Sequence, residues 1–74
     1  MRREVQTFGN EVGDVSIYLE SSGGYTVERR ICRMPGIYRC RVYECRERAN
    51  AEERFAKMRQ SLIALQTLRN NKAK

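Results

Sequence analysis

Histidine and tryptophan are missing from this 74-residue chain, and proline occurs once. The lack of histidine removes the usual general base at neutral pH and one of the two common zinc donors. The three cysteines (Cys32, Cys40 and Cys45) contain no C-x-x-C pair. They fall short of the four donors of a structural zinc site, and their odd number does not suit a disulfide framework. They read as reduced thiols, which places the protein in the cytoplasm. No apolar run approaches the roughly 20 residues of a membrane span, and no secretory signal pattern opens the chain. Ser21 and Ser22 have no evident base beside them. Gly23 and Gly24 lack the lysine and the strand-to-helix setting of a phosphate loop. The expectation is a protein that is not an enzyme and takes no cofactor and no metal.

The chain does have positive charge, with a net +6 and an isoelectric point near 9.7. Residues 1–28 carry two arginines against five carboxylates, a net −3. Residues 29–48 carry seven arginines against Glu44 and Glu47, a net +5, and residues 49–74 add +4. Twelve of the fifteen cations are arginine, whose forked guanidinium suits phosphate and carboxylate. A polyanionic partner fits this balance.

The length allows one domain over residues 1–74 with a modest core, stable by roughly 3–5 kcal/mol on its own. Residues 1–7 are expected either as a short edge strand or as a lead-in, and residues 8–14 as a loop rich in turn formers. Val15, Ile17 and Leu19 alternate with Ser16, Tyr18 and Glu20, the period of a half-buried strand. Ser21-Ser22-Gly23-Gly24 makes a hairpin turn. The next strand divides Tyr25, Val27, Arg29 and Ile31 from Thr26, Glu28, Arg30 and Cys32. A loop centred on Gly23 sets Leu19 opposite Val27 and Val15 opposite Ile31.

Met34-Pro35-Gly36 turns the chain again. A four-residue loop there pairs Val42 with Val27 and Tyr38 with Ile31. Tyr38, Cys40 and Val42 then join the apolar face, with Cys40 as a small core residue and Cys32 and Cys45 more exposed. Arg39, Arg41 and Tyr43 take the other face, where Arg30 lies beside Arg39 or Arg41. Like charges opposed across a ladder are destabilising unless they splay into solvent or meet an anion. Arg29 falls on the apolar face and is expected to snorkel past the helix edge or to pair with Glu44 or Glu47.

A helix is expected over residues 50–69, with Asn50 as its N-cap, Glu53 completing a capping arrangement and a frayed tail at 70–74. Ala51, Phe55, Met58, Leu62 and Leu65 form its apolar stripe. Ile63 lies off that stripe, on a flank with Ala56, Gln60 and Thr67 that could join two copies as a homodimer. The fold class is α+β: an antiparallel meander of three strands, or four with residues 1–7, and one C-terminal helix packed on one face.

On this reading the open sheet face carries Tyr18, Arg30, Arg39, Arg41 and Tyr43. Arg33 at the turn, and Arg46 and Arg48 before the helix, extend its positive rim. Arginines would contact phosphates and tyrosines would stack, giving a nucleic-acid platform. The alternative is an accessory or inhibitor module, alone or as a homodimer, docking on an acidic protein surface. In element order the chain resembles the arm-site DNA-binding domain of tyrosine integrases. Its last part is similar to the strand-helix end of double-stranded-RNA-binding domains. It departs from the latter where the helix opens Asn50-Ala51-Glu52-Glu53-Arg54 in place of Lys-Lys-x-Ala-Lys. Both likenesses concern architecture, and they imply no site residues.

Overall fold

The computed structural model describes residues 2–72. Four antiparallel strands, β1 (Arg3–Gly9), β2 (Gly13–Leu19), β3 (Tyr25–Met34) and β4 (Ile37–Cys45), lie side by side in chain order, followed by one helix, α1 (Arg48–Lys72). The α+β class stands, and the N-terminal segment is the fourth, edge strand. The expected 8–14 loop shrinks to residues 10–12, because Phe8 and Gly9 pair with Val15 and Asp14. Asn10 holds this corner. Its Oδ1 accepts from the Val12 and Gly13 amides at 2.9 and 3.2 Å, and its Nδ2 donates to the Leu62 carbonyl at 3.0 Å. Gly13 is needed where β2 meets β3, since a Cβ there would overlap the Arg30 carbonyl oxygen.

Alternation in β2 and β3 puts Val15, Ile17 and Val27 under the helix, where all are fully buried. They meet Ala51, Phe55, Met58 and Leu62 from α1. The expected helix stripe holds up to Leu62. Leu65 is 41% exposed, because α1 overruns the sheet body at the Asn10 corner, and Ile63 is exposed as its position off the stripe implied.

The helix starts two residues before the expected N-terminus. The Glu47 carbonyl accepts from the Ala51 amide at 3.2 Å, so Asn50 lies within the first turn and is not the cap. Glu52 and Glu53 fall beyond that turn and form i,i+4 pairs with Arg48 and Lys57 at 3.3 and 3.5 Å. The helix also continues through residues 70–72, which the expected frayed tail had included; the rest of that tail lies outside the described residues.

Two registers differ from expectation, with unequal consequences. Between β2 and β3 the turn centres on Ser22, so Ile17 faces Val27 and Val15 faces Arg29. That is a shift of two residues, and it leaves every side chain on its expected face. Between β3 and β4 the loop has two residues, Pro35 and Gly36, with Met34 opposite Ile37. Pro35 presets its own φ, and Gly36 takes φ +84°, the combination of a type II turn. A bulge between Cys32 and Met34 then leaves Arg33 as an extra residue in β3. The net change relative to the expected pairing is one residue, and it turns β4 over. Val27 faces Tyr43, Arg29 faces Arg41 and Ile31 faces Arg39, all on the helix side. Tyr38, Cys40 and Val42 point to the open side and are exposed, so Cys40 is not a core residue. Cys32 and Cys45, expected to be exposed, are half-buried, and Cys45 packs against the core.

Candidate nucleic-acid interface

On the open face the arginines are occupied. Arg30 makes a two-pronged pair with Asp14, Nε to Oδ1 at 3.1 Å and Nη2 to Oδ2 at 2.8 Å. It therefore does not lie beside Arg39 or Arg41; its partner across β4 is Cys40. Tyr18 is capped by Arg2, whose guanidinium carbon is 4.0 Å from the ring centre. The same Arg2 reaches Glu20 and Glu28, each at 2.9 Å. A hydrogen bond with Thr26, joined by Arg2, holds the Glu20 carboxyl below its usual range. By register this face also carries Glu4 and Glu44. Carboxylates outnumber cations here, and Arg39, Arg41 and Tyr43, expected on this face, lie on the other.

The helix side of β4 differs. The helix crosses over β2 and β3, and most of β4 lies outside its shadow. Arg39 and Arg41 stand on this uncovered shelf. Arginine does oppose arginine across the ladder, but at Arg29 and Arg41 on the helix side, not at the expected Arg30. Among the described residues no carboxylate oxygen lies within 4.0 Å of Arg29, Arg39, Arg41 or Arg54. The Arg29 Nε is buried and has no hydrogen-bond partner, so Arg29 pairs with neither Glu44 nor Glu47.

Tyr43 stands at the centre of this cluster. Arg41 Nη1 bonds to its Oη at 3.2 Å, and the Arg54 guanidinium carbon lies 4.1 Å from its ring centre. The hydrogen bond from Arg41 lowers the Tyr43 phenol below its ordinary value. Partial desolvation opposes it, and the charges of Arg41, Arg29 and Arg54 add to the lowering. Beside Tyr43 an open groove of about 680 Å³ runs between β4 and the helix flank, lined in part by Arg29, Arg46, Asn50, Arg54, Lys57 and Ser61.

Of the eight expected site residues, the structure gathers Arg39, Arg41, Tyr43 and Arg46 on the helix side of the sheet. Tyr18 and Arg30 lie on the opposite face, and Arg33 sits in the exposed bulge. Arg48 is in the first helical turn, paired with Glu52. The expectation missed Arg29, Arg54 and Lys57 as site residues. The signal for the last two was present: Asn50, Arg54, Lys57 and Ser61 recur at spacings of three and four, a polar stripe along one helix flank.

No protein-family model, curated protein or solved structure matches this chain. Among the described residues no helix is long and apolar enough to cross a membrane, and no group of three or more metal-ligating side chains occurs.

Proposed function

We propose that this protein is a basic, non-enzymatic module that binds nucleic acid with the helix-side flank of β4 and the adjoining flank of α1. The observation that supports this is a gathering of four guanidiniums, Arg29, Arg39, Arg41 and Arg54, none with a carboxylate oxygen within 4.0 Å among the described residues. Like charges opposed at Arg29 and Arg41 cost stability in the free protein. A polyanion lying along the flank relieves that repulsion and releases its own counterions. Arg39 and Arg41 would hold phosphates from the exposed shelf, with Lys57 and Arg46 extending the track. Phosphate contacts of this kind give affinity without sequence preference.

Fluorescence anisotropy with labelled duplex DNA, single-stranded DNA and RNA, over roughly 50–200 mM salt, tests this reading. The expected result is saturable binding to at least one of them that weakens steeply with salt. No binding to any of the three at the lower salt overturns it.

A further inference from the structure

We infer that Arg29, Arg41 and Arg54 converge on Tyr43 to form a discrete seat for a single phosphoryl group, at one point along the cationic flank. The inference rests on the proposed function for the source of that group, a nucleic-acid phosphate, but the seat is defined by its own geometry. Its parts come from three elements: Arg29 from β3, Arg41 and Tyr43 from β4, and Arg54 from α1. The Tyr43 oxygen accepts from Arg41 and keeps its own O–H to donate. Arg54 is held against the ring face, which fixes its guanidinium beside the phenol.

Arg29 supplies the observation that points to a ligand. Its Nε is buried, no group in the described protein accepts from it, and its ladder partner on β4 is another arginine. Nothing in the described protein offsets that desolvation, and a bound dianion would. The lowered phenol of Tyr43 agrees, since it shows that negative charge is favoured at this spot. Glu44, Glu47 and Glu53 also line the groove, and Glu53 is engaged by Lys57 at 3.5 Å. The Glu44 side chain leaves on the open face, and repulsion from Glu47 and Glu53 limits the seat to the Tyr43 end of the groove.

The test is titration of the intact protein with inorganic phosphate at constant ionic strength, followed through the tyrosine ring signals by NMR. Saturable shifts of Tyr43, with Tyr18 unmoved, are expected. Phosphate should also move the Tyr43 phenol titration back toward its ordinary value. Arg54→Gln and Arg41→Gln should each weaken the effect by about tenfold or more, the loss expected when one charge-assisted hydrogen bond is removed. Arg30→Gln should leave it unchanged. Arg54 is exposed, so its variant keeps the test valid if Arg29→Gln does not fold. Shifts that rise linearly without saturating, or that survive in both Arg41→Gln and Arg54→Gln, overturn the seat. Saturable phosphate binding by a protein that ignores nucleic acid keeps the seat and removes the proposed function. Nucleic-acid binding without saturable phosphate binding does the reverse.

Discussion

Arg29 and Arg30 are neighbours in β3, and their side chains leave the sheet on opposite faces. Arg30 finds Asp14 across the ladder and lays both ends of its guanidinium on that carboxylate. Arg29 finds Arg41 and keeps a buried Nε with no partner. The open face recruits Asp14, Glu20 and Glu28 for its cations, while among the described residues Arg29 and Arg41 have no carboxylate within 4.0 Å. An arginine is free to meet an anion only where the structure has left it unpaired. Two faces of one sheet thus have different electrostatic roles.

The largest contrast between the faces should be in stability. Leu62→Ala and Ile17→Ala remove fully buried side chains and are expected to cost about 2–5 kcal/mol each. Val42→Ala, on the exposed side of β4 at 58% accessibility, should stay within about 0.5 kcal/mol. Urea denaturation of the three variants measures both. Equal losses would mean that β4 is packed on its other face.

Binding comes next. Removing Arg29, Arg41 and Arg54 together should weaken nucleic-acid affinity by about 100-fold at low salt. It should also reduce the salt slope by about 0.9, because the three side chains share one phosphate. Arg2→Ala with Arg30→Ala should change affinity by less than about twofold, since both side chains are already engaged by carboxylates. Anisotropy titrations of the two variants decide between the faces, and similar losses would erase the distinction.

A subtler difference should appear in alkali. Tyr43 should form its phenolate below the ordinary phenol range, followed by its ring NMR signals. Folding lowers this phenol's value, so the stabilisation it brings is present above the ordinary phenol range and is lost as pH falls through the lowered value. Arg41→Gln should move Tyr43 back up. Smallest of all, Asp14→Asn should cost no more than about 1 kcal/mol, because the pair it breaks is largely exposed.

Much of the fold was legible in the sequence because its signals are local. Alternation in residues 15–19 and 25–31, the glycines near residue 23, and the helix stripe from Ala51 to Leu62 each report a choice made within a few residues. The candidate site depended on a longer-range quantity, the parity of β4 relative to β3. Tyr38, Cys40 and Val42 alternate with Arg39, Arg41 and Tyr43, and by apolarity the first set belongs in the core. The structure puts the second set on the helix side because only Tyr43 and Cys45 need to approach the core; Arg39 and Arg41 stand past the helix edge, where the helix side is itself solvent. The helix cap was misplaced for a related reason. Asn50 is a good cap by composition, but the Glu47 carbonyl already begins the helical ladder.

The bulge at Arg33 also decides which side of β4 faces the helix. Substitutions alter a binding face one side chain at a time. Drawing Arg33 into the ladder, with the Pro35-Gly36 corner kept, would set it opposite Tyr38 and Arg30 opposite Arg41, and so invert the whole of β4 in one step. Tyr38, Cys40 and Val42 would move to the flank beside the helix, and Arg39 and Arg41 would move to the carboxylate-rich side. A slip of one residue would thus exchange a cationic surface for an apolar one.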